Sequence, residues 1–468
     1  MPGATGICCA SRRGPRPRCG PDHADGRVEG YLGNEEARCG CWRAGFRWTQ
    51  AIDDANVAGN ERGTDPESEA DMAIPERFSN LPEYAFPRLR ALLSGIEPGL
   101  PPGTAPMVMT IGEPRHAMPD FVADAISTSI GGFAKYPVNE GTSGLLEAIS
   151  GWIGARYGVA VPPQQIMALN GTREGLFNAV LALCPELSNG QRPAVLTPNP
   201  FYQVYAAAAA AVQADSIFVP AIAETGDLPD YAALPADLLD RTAIAFICSP
   251  ANPQGAIADR AYLERLIGLA DQHDFLVFSD ECYSEIYRDT PPPGALEVAD
   301  AMGLTDRVVV FNSLSKRSNL PGLRSGFVAA GETQSRLLRQ LRSFAGAPLP
   351  LPLQEVAEAA WRDEAHVEAS RALYRQKYDI ADRILGNVPG YRPIQGGFFL
   401  WLPVEDGEAA ARKLWSRVGI QILPGAYLSR EVDGFNPGKG FVRVALVADA
   451  EATDAALTRL RDVLYDDG

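Results

Sequence analysis

The chain has 468 residues, 46% of them hydrophobic and 21% charged, and a formal net charge of -16. Such a length and balance suit a soluble two-domain globular protein with a large core. The acidity argues against a nucleic-acid binder, which needs clustered lysine and arginine to neutralise phosphates, and no apolar run approaches a membrane span. A local arginine pocket for a small anion stays compatible with an acidic chain.

Residues 1–71 are rich in Gly, Arg, Asp, Glu and Cys, without sustained periodicity and without the apolar stretch of a secretory signal. Cys8, Cys9, Cys19, Cys39 and Cys41 fall here, near His23, but no C-x-x-C pair forms, so no metal site is expected. The character changes at Met72. The segment before it is expected to be disordered or a mis-assigned extension, with Met72 the true start. Cys184, Cys248 and Cys282 lie in apolar surroundings and read as small buried residues of a reducing cytoplasm.

Residues 84–93 carry apolar side chains at helical spacing. Residues 108–111 read as a short strand entering the turn Gly112-Glu113-Pro114. Tyr136 to Gly141 is a second turn, ahead of a helix carrying Leu145, Ile149 and Ile153. Strand-like runs at 166–169, 194–196, 244–247, 275–278 and 308–311 then alternate with helical patterns, such as 262–270 and one starting in the alanines at 206–211. This alternation is that of an α/β protein. The runs are apolar on both faces, as in a sheet covered by helices, and each ends in polar residues. Beyond about residue 350 come a long helical region at 355–385, an apolar strand at 396–402, a helix at 409–418, the runs 420–423 and 442–446, and a closing helix. That reads as a second, α+β domain.

Ligands of open α/β sheets bind at the carboxyl ends of the strands, so those residues are the candidates. After Leu169, Asn170-Gly171-Thr172-Arg173-Glu174 runs into a helix whose first amides suit a phosphate, with Gly171 allowing close approach. After Leu196, Pro198-Asn199-Pro200-Phe201-Tyr202 supplies aromatics, and Tyr202 either stacks on a planar ring or packs in the core. Asn252, in Asn252-Pro253-Gln254-Gly255, can hydrogen-bond a phenolic oxygen. In Ser279-Asp280-Glu281-Cys282-Tyr283 a carboxylate ends a buried strand, which is costly unless paired, so Asp280 is expected to meet a cation. The loop from Asn312 to Gly326 offers Lys316 for a Schiff base and Ser313 and Arg324 for a phosphate, a set that suits an anionic aldehyde cofactor. Lysine occurs only five times, and only Lys316 lies in such a loop.

Asn252-Pro253-x-Gly255, Asp280-x-x-Tyr283 and Ser313-x-x-Lys316 followed by Arg324 and Gly326, in that order, resemble fold-type I aminotransferases that use pyridoxal 5'-phosphate (PLP). The resemblance runs from about residue 75 to the C-terminus. More narrowly, Asn170 to Glu174, Pro198 to Tyr202, Ser279 to Tyr287 and Ser313 to Asn319 look like the succinyldiaminopimelate transaminases of bacterial lysine biosynthesis, with Gln254 where that family usually has Thr. The resemblance implies the PLP-dependent transferase fold of type I: α/β, with a mostly parallel seven-stranded central sheet in a large domain (121–350) and a smaller α+β domain (351–468). Residues 72–120 would form an N-terminal arm and part of the small domain.

By the same resemblance Lys316 forms the Schiff base, Asp280 pairs with the ring nitrogen, Tyr283 and Asn252 bind the ring oxygen and Tyr202 stacks on the ring. Ser313, Arg324, Gly171 and the amides of Thr172 and Arg173 hold the phosphate. Tyr136 reaches the phosphate of the neighbouring subunit, which implies a homodimer, and the expected location is cytoplasmic. Arg443, in Phe441-Val442-Arg443-Val444, clamps the substrate α-carboxylate, and Gly112 lines the substrate site. Arg115 and His116, and less directly Arg317, are the candidates for further substrate carboxylates. The implied reaction is ping-pong transfer from N-succinyl-L,L-2,6-diaminopimelate to 2-oxoglutarate. Alternatives within the family are an aspartate, aromatic or N-acetylornithine aminotransferase, or a carbon–sulfur lyase. A PLP-sensing regulator would need a basic DNA-binding module, and residues 1–71 show no helix-turn-helix pattern.

Overall fold

Strands that are apolar on both faces are stable only between two layers of helices, and the chain builds that sandwich. The structure, a computed structural model, describes residues 75–79, 81, 83–100 and 103–466. The expectations for residues 1–71, for their five cysteines and for Met72 lie outside the described residues.

Seven strands form the main sheet: β1 (Ile166–Leu169), β2 (Ala194–Asn199), β3 (Asp215–Pro220), β4 (Thr242–Cys248), β5 (Leu276–Asp280), β6 (Val308–Ser313) and β7 (Gly326–Ala330). Their spatial order is β1-β7-β6-β5-β4-β2-β3. β7 is antiparallel to both neighbours, and every other pair is parallel. Because β7 alone reverses, the carboxyl ends of the other six strands lie along one edge. Along β6, Val308 and Val310 enter one core cluster while Val309 and Phe311 enter another, the period-2 alternation of a strand buried on both sides. The first cluster is completed by helices Ser143–Tyr157, Arg260–Gln272, Ala295–Met302 and Leu351–Arg362. Helices Thr172–Leu183, Gln203–Ala211 and Glu332–Arg342 complete the second. Each fully buried Val or Phe contributes roughly 1.5–3 kcal/mol, so the sheet is a rigid platform for whatever projects from its edge.

A smaller antiparallel sheet, in the order β9-β10-β8, is made of β8 (Phe399–Pro403), β9 (Leu423–Pro424) and β10 (Phe441–Ala445). It packs with helices Ala365–Leu385, Gly407–Val418 and Ala450–Arg461. Met107–Val108 pairs in parallel with Ile420–Gln421.

The structure corrects four local expectations. Two strands of the main sheet, β3 and β7, carry weak signals: β3 is an edge strand opening on Asp215, and Gly326-Phe327-Val328-Ala329-Ala330 has little β-branched content. The helical region at 355–385 is two helices. The Asp363 carboxylate accepts the His366 amide at 3.0 Å, and this local bond competes with continuing the helix. The strand expected at 108–111 stops at Val108, and the alanines at 206–211 end a helix rather than start one.

Candidate active site

Register brings the predicted residues together. Gly326 of β7 pairs with Leu169 on one side and Ser313 on the other, so the turn at Gly171, the Ser313–Lys316 segment and Arg324 meet at one point of the sheet edge. Asp280 pairs with Phe311 and Cys248, which sets it beside them. Thr172, Cys248, Asp280, Ser313, Lys316 and Arg324 line a cavity of about 420 Å³. Its wall carries four basic side chains, Arg173, Lys316, Arg324 and Arg443, and a single acidic one, Asp280.

Lys316 stands on the one-turn helix Leu314–Arg317, whose first turn is capped by the Ser313 hydroxyl accepting the Ser315 amide at 3.0 Å. Its Nζ donates to the Gly112 carbonyl and lies 5.5 Å from the Phe398 ring centroid. Burial disfavours the ammonium and pulls the amine down to about 8. A usable fraction is therefore the neutral nucleophile near pH 7.

Asp280 is buried and accepts the Tyr205 hydroxyl at 2.8 Å and the Cys282 amide at 3.3 Å. The expected cation partner is absent among the described residues: both donors are neutral, and burial raises the carboxyl pKa. A carboxylate held this way is suited to a cationic N–H brought by a ligand. Tyr205, which sequence reasoning did not assign, stacks on Phe246 with centroids 4.2 Å apart. Its helical spacing of three from Tyr202 was the available signal.

Arg443 is buried on β10. One terminal nitrogen donates to Asn252 Oδ1 at 3.0 Å and the other to the Thr110 carbonyl at 2.7 Å, while Nε is buried without a partner. The guanidinium covers the Phe399 ring at 4.2 Å. Burial lowers it to about 10, so it stays charged at neutral pH. Tyr283 is buried edge-on to Phe398 and Phe399, and burial pushes its phenol well above the ordinary range. Gln254 donates to the Ala221 carbonyl at 3.1 Å, while Asn252 keeps its place in the cavity wall.

At the other end, Gly171 has φ +80, and a β-carbon there would run into the Arg324 guanidinium. The positive φ favours glycine, and any larger residue would have to displace the Arg324 guanidinium. Arg324, itself left-handed at φ +54, donates to the Pro321 carbonyl at 2.8 Å and the Asn170 carbonyl at 3.4 Å. The Ser313 hydroxyl donates to the Ser325 carbonyl at 3.0 Å, and the Ser325 hydroxyl is buried without a partner. Thr172 opens the helix Thr172–Leu183, with its hydroxyl 3.0 Å from Cys282 Sγ. Cys184 and Cys282 are part-buried rather than buried, and Cys282 lines the cavity. Over the cavity Tyr202 accepts Arg173 Nε at 2.7 Å.

Three residues expected at the substrate lie elsewhere, and Tyr136, expected to act on a neighbouring subunit, is outside this wall too. Tyr136 is fully exposed. Arg115 is exposed, donates to the Val108 carbonyl at 3.4 Å and does not reach the cavity wall. His116 turns inward, bonded to Ser370 at 3.2 Å and Lys377 at 2.7 Å. Arg317 touches neither cavity nor solvent. It is buried against Trp152 and Trp361 and donates to the Ala360 carbonyl at 2.7 Å.

The arrangement fits a phosphorylated, ring-bearing carbonyl compound. A helix N-terminus with Arg324 suits its phosphate, Asp280 a protonated ring nitrogen, and Lys316 its carbonyl carbon.

Comparison with known proteins agrees. Residues 104–460 match the model of the family described as aminotransferase class I and II. A relative named LL-diaminopimelate aminotransferase, from Nitratidesulfovibrio vulgaris (strain DSM 19637 / Miyazaki F), is 29% identical over 406 residues, covering 84% of this chain and 100% of the relative. An aminotransferase structure from Neisseria meningitidis Z2491 superposes with a TM-score of 0.79 at 36% identity, covering 84% of this chain and 100% of that one. The probable N-succinyldiaminopimelate aminotransferase from Thermus thermophilus gives a TM-score of 0.70 at 26% identity, covering 81% and 98%. The chain therefore belongs to the class I and II aminotransferases, which depend on pyridoxal 5'-phosphate.

Proposed function

We propose that this aminotransferase moves the amino group of N-succinyl-L,L-2,6-diaminopimelate to 2-oxoglutarate, with Lys316 as the lysine that carries the cofactor. The observation behind this choice is the charge of the wall. Four basic side chains line the cavity, and its one carboxylate, Asp280, is buried behind the ring position. Free LL-diaminopimelate, the substrate named for the relatives, brings a distal ammonium that this wall gives no acid to receive. Succinylation removes that charge and adds a carboxylate, which suits the wall better. The Thermus neighbour's name supports the same reading.

When bound, PLP supplies a conjugated ring that takes up the electron pair left as the substrate's α-C–H bond breaks. The protein's residues do the rest. Gly171, Thr172, Arg173 (through its amide), Ser313 and Arg324 hold the phosphate, Asp280 keeps the ring nitrogen protonated, and Tyr283 and Asn252 hold the ring oxygen. Tyr205 fixes the carboxylate of Asp280 by its hydroxyl, and Tyr202 covers the ring face. Arg443 receives the α-carboxylate. Its outer nitrogens are oriented by Asn252 and Thr110, leaving the unpaired Nε–H for the substrate. Once the donor's amino group has displaced it from the carbonyl carbon, the freed Lys316 amine would take the α-proton at Nζ and pass it to that same carbon as the amino group moves across.

The test is a donor panel with 2-oxoglutarate as acceptor: N-succinyl-L,L-diaminopimelate, LL-diaminopimelate, N-acetylornithine and aspartate. The succinylated donor is expected to lead in kcat/KM by at least about tenfold. A higher value for LL-diaminopimelate would reject the succinyl assignment. Borohydride reduction and peptide mapping should place the pyridoxyl label on Lys316 and nowhere in Lys316→Ala.

A further inference from the structure

We propose that the side chains of Arg173 and Gln203 form the subsite for the anionic tail of the amino donor. This rests on the reading above, and it replaces Arg115, which the fold keeps out of the cavity. Of the four cations in the wall, Lys316 is taken by the cofactor carbonyl, Arg324 by the phosphate and Arg443 by the α-carboxylate, which leaves Arg173. Its neighbours are phenols: Nε donates to the Tyr202 hydroxyl at 2.7 Å, and Tyr84 stands in the same cavity wall. No carboxylate pairs with it among the described residues, so its charge is free for a ligand anion.

Gln203, next in sequence to Tyr202, also lines the cavity, and its side-chain amide nitrogen is buried without a partner. An unpaired buried donor is costly, and a ligand carboxylate satisfies it. Tyr84 lines the same wall within electrostatic range of both Arg173 and Arg443. A donor anchored by its α-carboxylate on Arg443 thus runs past Tyr84 toward Arg173. The chemical class is an amino acid whose long side chain ends in a carboxylate.

Two donors of equal length test this, 2-aminopimelate and 2-aminoheptanoate, which differ only in the terminal carboxylate. The wild-type holoenzyme should prefer the dicarboxylate, and Arg173→Gln should shrink that preference about 30-fold, chiefly through KM, the scale of one charge-assisted pair. Arg173→Lys should retain part of the preference, and Gln203→Ala should lower it by a smaller factor. Four outcomes are informative. A wild-type enzyme with no preference for the dicarboxylate overturns the anionic-donor reading itself. A wild-type preference that survives Arg173→Gln overturns only this subsite. A raised half-saturating PLP concentration with an unchanged donor ratio assigns the guanidinium to the cofactor and also overturns it. The expected shift, with the cofactor absorbance retained, supports it.

Discussion

At the scale of single residues, two buried groups give measurable consequences. Tyr205 donates to Asp280 and stacks on Phe246, so Tyr205→Phe removes the hydrogen bond while keeping the ring. The variant should fold normally, within about 1 kcal/mol of wild type, and lose roughly tenfold in kcat/KM through a less well-held carboxylate. An unchanged kcat/KM would show that the Cys282 amide alone suffices. Lys316 makes a pH prediction for the cofactor-free protein. Its folded value of about 8 lies below the ordinary 10.5, a gap corresponding to roughly 3 kcal/mol. Between those values the unfolded chain binds the proton and the folded chain does not, so this residue's contribution to stability rises as pH climbs from 8 to 10.5. Lys316→Met should therefore be more stable than wild type at pH 7, by up to about 3 kcal/mol, with the advantage shrinking toward pH 10.5. Urea denaturation of the two cofactor-free proteins at pH 7 and pH 10 reads this directly.

Elements carry the site by their ends, which is why much of it was legible in the sequence. Gly171, Asp280 and Lys316 each fall within a few residues of a strand's carboxyl end, and a local polar break after an apolar run marks such positions. What the sequence hides are contacts made by helix faces and by backbone. Tyr205 and Gln203 sit on the first turn of a helix, where their direction depends on packing. The carbonyls of Thr110 and Gly112 bond Arg443 and Lys316 from a segment more than 200 residues away. Arg317 reads as a loop charge, yet it is an interior group held by Ala360 and two tryptophans. β7 shows no strong strand pattern, but its reversal places Arg324 against Gly171. That contact is testable. Gly171→Ala puts a side chain at φ +80 and a β-carbon into the Arg324 guanidinium. The half-saturating PLP concentration should rise at least about tenfold with a stability loss of about 1–2 kcal/mol, measured by cofactor titration and thermal denaturation.

For the whole molecule, the testable expectation is a second copy of the chain. No helix among the described residues is long and apolar enough to cross a membrane, so a bilayer-spanning helix does not explain the exposed apolar side chains. Met118, Ile130, Phe133, Tyr136 and Val138 all stand exposed within one stretch, and Tyr136 is as accessible as in a free peptide. Large apolar side chains left exposed along one segment are a reason to look for an interaction surface there. We therefore expect the protein to sediment at twice the chain mass, with Tyr136 completing the phosphate site of the partner subunit. Phe133→Asp should dissociate the dimer, because a carboxylate cannot be buried unpaired in an apolar interface. Tyr136→Phe should leave the dimer intact and raise the half-saturating PLP concentration several-fold, since only one hydrogen bond is lost. The two variants separate assembly from cofactor binding. A monomeric Phe133→Asp enzyme with wild-type PLP affinity would show that each chain holds its cofactor alone, and Tyr136 would then be a surface residue of no consequence for the site.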